Sequence, residues 1–179
     1  PGISGRPAVV NRRHTYGDTH RDYMDDRAQW LRSRLNYQLN ETWQLGHTRG
    51  LFKLDSEFDN TYPTAYNATT ATVTRQRWQQ DLNTRNLFNN LEAEGDFDTL
   101  GLEHKLLLGL EFGNQRRDPT LYTAAAVSAG GRPVPALSLN NPDRSRQHNG
   151  RMVVSSNHHT VVDSRGVYLQ DQVRLNDQW

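Results

Sequence analysis

LGLEHKLLLGLEFG, residues 100–113, sorts onto two unlike sides when read in steps of two. Leu102, His104, Leu106, Leu108, Leu110 and Phe112 fall on one side of an extended chain; Glu103, Lys105, Leu107, Gly109, Glu111 and Gly113 fall on the other. Successive side chains of a strand point to opposite faces, so the stretch predicts a strand with one apolar and one mixed, more polar face. The same period runs through DRAQWLRSRLNYQLN, residues 26–40. There Leu31, Ser33, Leu35, Tyr37 and Leu39 oppose Ala28, Trp30, Arg32, Arg34, Asn36 and Gln38. It returns in RGVYLQDQVRLND, residues 165–177, where Val167, Leu169, Val173 and Leu175 oppose Tyr168, Gln170, Gln172 and Arg174. Asp171 interrupts that apolar side, and the sequence offers no reason for it.

Two weaker segments complete the set. In WQLGHTRGLFKLDSEF, residues 43–58, Trp43, Leu45 and Leu51 share one parity while Phe52, Leu54 and Phe58 share the other, which predicts a bulge near Gly50. Residues 76–94, QRWQQDLNTRNLFNNLEAE, contain helix formers. They lack an i, i+3, i+4, i+7 stripe, and Asn83, Thr84, Asn86, Asn89 and Asn90 oppose a helix, so a strand is expected.

Composition bounds the class. Of 179 residues only 34% are hydrophobic, and mean hydropathy is −0.89, poor material for a self-contained core. A formal net charge of +1 argues against a dedicated nucleic-acid binder. The basic residues are arginine except Lys53 and Lys105, and arginine pairs bidentately with phosphate or carboxylate. Without cysteine there is no disulfide framework and no thiolate metal site. No apolar run is long enough for a transmembrane helix, whereas a membrane strand needs only about ten alternating residues.

The connections are lopsided. Asn40-Glu41-Thr42 and Gly95-Asp96-Phe97-Asp98-Thr99 are of hairpin length, whereas residues 57–75 and 114–163 form long links. In an up-and-down meander the short turns then lie at one end and the long loops at the other. Soluble domains rarely carry structureless loops of this size; outer-membrane barrels pair short periplasmic turns with long extracellular loops. LNETW, residues 39–43, recurs as LNDQW, residues 175–179, which fits a repeated turn whose Trp begins the returning strand in an interfacial aromatic girdle.

Specific motifs sharpen this reading. PGISGRPAVVNRRHTYGD, residues 1–18, resembles the loop consensus of TonB-dependent siderophore receptors. GDFDTLGLEHKLLLGLEF resembles their turn and strand, NNPD at 140–143 an Asn-Pro element of the next loop, and GVYLQDQVRLNDQW a later strand. The order and spacing resemble most the ferrichrome, hydroxamate-type branch. The resemblance implies a parent with an all-β, antiparallel up-and-down transmembrane barrel of about 22 strands, filled by an N-terminal plug. Residues 1–179 are expected to supply about five strands, with the plug domain and C-terminal strands lying outside them. The implied activity is import of ferric siderophore across the outer membrane, driven by TonB acting through the plug. The implied partners are ferric siderophore, TonB, outer-membrane lipid and lipopolysaccharide, with no nucleic acid. No cofactor is expected, the ferric siderophore being cargo.

On this reading Arg32, Arg34, Asn36, Gln38, Glu103, Lys105, Glu111, Gln170, Gln172 and Arg174 line the lumen, meeting plug and water or standing in the cargo path. Cargo-binding candidates are the aromatics placed toward the long loops. Trp30 is expected near the outer end of its strand and Trp78 near the outer end of another, with Tyr62, Tyr66 and Tyr122 in the loops. Arg116, Arg117, Arg144, Arg146 and Arg151 make the outer loops basic, for lipopolysaccharide phosphate, an anionic cargo or plain solvation.

No metal site is expected from the seven histidines: His158 and His159 as strand neighbours would face apart, and His14 and His20 lack carboxylates at ligand spacing. Asp25-Asp26 and the Asp96/Asp98 pair suit turn chemistry. No catalytic residue is expected, since no nucleophile elbow, zincin motif or phosphate loop occurs. Two other classes share part of the pattern. A passive porin or adhesin explains the alternation but not the ordered motifs; a soluble all-β binding module conflicts with the loop asymmetry.

Overall fold

A computed structural model describes residues 2–3, 6–7 and 9–175. Asn176–Trp179, and with them most of the second Leu-to-Trp turn, lie outside the described residues. The strands are β1 (Gly2–Ile3), β2 (Arg6–Pro7), β3 (Tyr23–Gln38), β4 (Trp43–Asn67), β5 (Thr72–Thr99), β6 (Leu102–Ala124), β7 (Leu137–Ser138), β8 (Met152–Asn157) and β9 (Thr160–Arg174), with one 3-10 turn at Val127–Ala129. β1 pairs only with β2. The main sheet runs β3-β4-β5-β6-β8, with β7 on β5 and β9 on β6. Five long strands, β3, β4, β5, β6 and β9, make the expected antiparallel meander; short β7 and β8 bring this sheet to seven.

The strands reach further than the apolar alternation. Residues 57–75 are not a loop: β4 and β5 continue as a hairpin to Asn67 and Thr72. Asn67 Oδ1 caps the connecting turn, accepting from the Thr69 and Thr70 N–H groups at 3.0 and 3.2 Å. Here cross-strand pairs replace hydrophobic pattern as the stabilising feature. The Phe58 and Trp78 rings meet edge to face at 4.7 Å, the Tyr62 hydroxyl donates to Gln76 Oε1 at 2.9 Å, and the Thr64 and Thr74 hydroxyls lie 3.3 Å apart. Likewise residues 114–163 hold the end of β6, all of β8 and the start of β9, leaving 125–151 as the long loop. His158 and His159 fall between β8 and β9 rather than within one strand.

The turns explain themselves at atomic scale. Asn40 Oδ1 accepts from the Thr42 and Trp43 N–H groups at 3.0 and 2.8 Å, which is why LNETW turns where it does. The next short turn is not 95–99 but Leu100-Gly101, both at positive φ (53° and 77°), the pattern of a two-residue hairpin turn matched to strand twist. The expected bulge near Gly50 does not show in the contacts between β4 and β5. A Cβ on Gly46 would stand 3.6 Å from Glu92, one on Gly50 stands 3.8 Å from Phe88, and Asp55 bonds to Asn83. Each step along β4 is thus matched by one back along β5, and no residue is inserted. Of the apolar residues of the second parity, Phe58 packs on Trp78 on the mixed face.

The chain divides into two compact units. The first comprises Pro1–Arg27, Asp55–Asn83 and Asp118–His158; the second Ala28–Leu54, Thr84–Arg117 and His159–Trp179. Among the described residues the buried apolar side chains are Val73, Ala125, Leu137 and Leu139, all in the first unit. The second is a bare sheet: Leu35, Leu169 and Val167 are 68, 67 and 82% exposed.

Candidate functional site

The second unit is a sheet with two unlike faces. Register along β6 and β9 sets Leu108 against Leu169 and Leu110 against Val167 on one face, and Glu103 against Arg174, Lys105 against Gln172 and Leu107 against Gln170 on the other. The polar face is knitted sideways. Arg34 Nη2 on β3 donates to Glu92 Oε2 on β5 at 3.5 Å, passing β4 where Gly46 leaves room. The Tyr168 hydroxyl on β9 donates to Glu92 Oε1 at 2.8 Å, its ring lying over Gly109 of β6, where a Cβ would fall inside the ring. Arg34 also donates to Asn36 Oδ1 at 3.1 Å and Arg174 to Glu103 at 3.1 Å. A Cβ on Gly166 would lie 3.5 Å from Glu111 Oε2. Gln38 turns back to the Asn40 carbonyl at 2.6 Å and so completes the turn. Arg32 is exposed on the same alternation as Arg34.

On the apolar face the misfit Asp171 has a partner. His104 Nδ1 lies 2.9 Å from Asp171 Oδ2, and the His104 ring stacks on Phe97 at 4.9 Å. The other end of that face turns polar at Asn114, which donates to Asp163 at 2.6 Å. Between these two pairs lie Leu106, Leu108, Leu110 and Phe112, about ten residues of strand, a length that suits a bilayer-spanning strand.

In the first unit the β4–β5 hairpin separates charge from aromatic surface. One face carries Asp59, Arg75 and Arg77, 3, 5 and 6% exposed. Arg77 grips both Asp59 carboxylate oxygens and donates to the His148 carbonyl at 3.1 Å. Arg75 donates to the carbonyls of Pro135, Tyr16, Gly17 and Arg146 at 2.8–3.2 Å. These bonds pin loop 132–148 and residues 16–22 onto the hairpin; Asp22 Oδ1 adds a bond from the Thr61 N–H at 2.9 Å. The Asp59 bond raises the Arg77 pKa, while burial lowers that of Arg75; both stay cationic at physiological pH. Sequence reading missed this cluster because residues 57–75 carry no apolar alternation. The signal was present as Val73, Arg75 and Arg77 at every second position.

The opposite face, the alternate positions from Phe58 to Tyr66 and from Thr74 to Gln80, carries aromatic, hydroxyl and amide groups and no charge. Tyr62, Tyr66 and Trp78 belong to it, half-buried. Tyr122 does not: its hydroxyl donates to Asp81 Oδ2 at 3.1 Å, and Asp81 alternates with Arg77 and Gln79 on the charged face. That bond raises the Tyr122 pKa. Trp30, 75% exposed, stands at the middle of β3 rather than near its outer end and belongs to the other unit. Among the described residues no three His, Asp or Glu side chains converge as a metal site.

Long antiparallel strands with one apolar face, joined in the second unit by the tight turns at 39–43 and 100–101, are the pattern of a membrane β-barrel sheet. The family described as TonB dependent receptor-like, beta-barrel, matches residues 2–179, and the chain belongs to it. It is 25% identical over 173 residues to the Metal-pseudopaline receptor CntO of Pseudomonas aeruginosa strain UCBPP-PA14, a match covering 92% of this chain and 22% of that protein. In fold it resembles the siderophore receptor PiuA from Acinetobacter baumannii (TM-score 0.79, 21% identity, 96% of this chain and 26% of that one). The open form of the Ferric-Catecholate import receptor Fiu from E. coli K12 gives 0.75 at 19% identity, over 94% and 26%. The chain therefore spans about a quarter of the length of these relatives, and the structural likenesses concern the fold alone.

Proposed function

We propose that this chain is part of an outer-membrane receptor that binds a ferric siderophore and imports it by TonB-coupled transport. On this reading the apolar face of the second unit meets lipid and lipopolysaccharide. Its polar face, with Arg32, Arg34, Asn36, Gln38, Glu103, Lys105, Glu111, Gln170, Gln172 and Arg174, meets the barrel interior, where a plug contacts TonB. The observation that carries the cargo assignment is the uncharged aromatic face of the β4–β5 hairpin, with Tyr62, Tyr66 and Trp78 as its contacts. Flat aromatic surface with few, placed hydrogen-bonding groups is how proteins hold bulky small molecules. Trp30 and Tyr122 are secondary candidates.

The absence of charge on that face supports a hydroxamate-type cargo. Three hydroxamates cancel the charge of Fe³⁺, whereas three catecholates leave a trianion that calls for Arg or Lys. The test is growth of an iron-starved strain lacking its own receptors, complemented with the complete gene and fed single ferric siderophores. TonB-dependent growth on a trihydroxamate such as ferrichrome is expected. Growth on a catecholate alone overturns the cargo class; growth on none, with the protein in the outer membrane, overturns the receptor reading.

A further inference from the structure

HNGR, residues 148–151, holds the one Asn-Gly pair in the sequence, and the first unit grips it on both sides. Ahead of it His148 is 1% exposed. Its Nε2–H donates to the Arg132 carbonyl at 2.9 Å, and its own carbonyl accepts from Arg77 Nη1 at 3.1 Å. Behind it the Arg151 carbonyl accepts from the Ala125 N–H at 2.9 Å. Asn149 lies exposed between these tethers, and its Oδ1 accepts from Arg21 Nη2 at 2.6 Å. A Cβ at Gly150 would run into the His148 ring and stand 3.1 Å from Arg132 Cβ, so packing requires glycine after this asparagine.

Asparagine is chemically labile, and most so before glycine, where no side chain shields the next backbone nitrogen. Once hydroxide has taken the Gly150 N–H proton, that nitrogen attacks Asn149 Cγ. A five-membered imide forms, the Cγ–Nδ2 bond breaks, and ammonia leaves with a proton from water. Water then opens the imide. Cleavage between Cγ and the Gly150 nitrogen leaves aspartate at 149; cleavage on the other side of that nitrogen leaves isoaspartate and a backbone longer by one methylene. The surroundings bear on both steps. Asn149 Oδ1 is the oxygen that gathers negative charge when Cγ is attacked, and Arg21 already stands on it. A cation placed where charge develops lowers the barrier. The tethers at His148 and Arg151 hold the span to its ordinary length, which an isoaspartyl backbone does not match.

We propose that Asn149 is a site of spontaneous deamidation, activated by Arg21 and steered to aspartate, which turns the Arg21–Asn149 bond into an ion pair. A guanidinium holds a carboxylate more strongly than a neutral amide, so conversion tightens the hold of the segment around Arg21 on the loop that ends at 151. Water is the only co-reactant, and the site is independent of what the protein carries.

The test incubates the full-length protein in phospholipid nanodiscs at mildly alkaline pH, beside the same protein unfolded in urea. Peptide mass spectrometry follows the change of amide to acid at 149, with the aspartyl and isoaspartyl peptides separated. The folded protein is expected to convert at Asn149 with aspartate as the major product, and the unfolded chain to give mainly isoaspartate. Arg21→Gln should slow conversion in the folded protein at least threefold and leave the unfolded rate unchanged; Arg21→Lys, which keeps the cation, should retain at least half the rate. Were the Arg21 bond only a clasp, Arg21→Gln would free the segment and speed conversion, so a faster or an unchanged rate overturns the activation. A folded protein in which Asn149 stays intact, or gives mainly isoaspartate, overturns the site. Asn149→Asp, made directly, should slow limited proteolysis between 143 and 151 at least threefold; cleavage at the wild-type rate overturns the tightening.

Discussion

Gly109 is the residue on which the polar face depends most directly. The Tyr168 ring occupies the space a side chain would need, and from there its hydroxyl reaches Glu92 two strands away. Gly109→Ala should destabilise the folded protein by about 1–3 kcal/mol, the usual cost of overpacking. Adding Tyr168→Ala should recover part of that loss, seen as non-additivity in urea unfolding of the bilayer-inserted protein; strict additivity would contradict the arrangement. Leu100 is the converse case. It is 97% exposed at φ 53°, a conformation that asparagine tolerates better. Leu100→Asn should therefore stabilise by about 0.5 kcal/mol, measured by the same unfolding assay.

Among the elements, the β4–β5 hairpin joins anchorage to the proposed recognition of cargo. Arg77 and Asp59 form a buried pair, and removing one member leaves an uncompensated charge, at a cost of about 3–5 kcal/mol. Arg77→Met should accordingly release loop 132–148, which limited proteolysis would register as new cleavage between 132 and 148; an unchanged digestion pattern would mean the loop is held by other bonds. Trp78→Ala acts on the other face and, on the proposed receptor reading, should lower siderophore uptake at least tenfold with the digestion pattern intact. Legibility in the sequence divides along the same line. The alternation in 26–40, 100–113 and 165–175 was readable because one face there is apolar. The hairpin beyond residue 57 was not, since its strands are held by polar cross-strand pairs and its charged face is buried by a loop from far along the chain. Trp30 was misplaced along β3 because alternation gives a face and not a height. Tyr122 was misgrouped because its partner, Asp81, is 41 residues away.

At the scale of the molecule, the polar pairs His104–Asp171 and Asn114–Asp163 border the apolar rows of β6 and β9. The height between them is tested by charge. Leu108→Arg, in the middle of the rows, should destabilise the inserted protein by about 2–4 kcal/mol, whereas Leu175→Arg, beyond the His104–Asp171 border, should cost about 1 kcal/mol or less. Equal costs would mean that the rows do not face lipid.

The hairpin's division of labour bears on how such a protein diversifies. On the receptor reading proposed above, the residues that hold it in place and those offered to cargo occupy alternate positions of the same two strands, so neighbours in the sequence answer to different demands. A codon change at Gln76 or Trp78 alters the offered surface while Arg75 and Arg77, on either side, keep their carbonyl and carboxylate partners. On that reading, new cargo is open to single substitutions without passing through forms in which the loop comes loose.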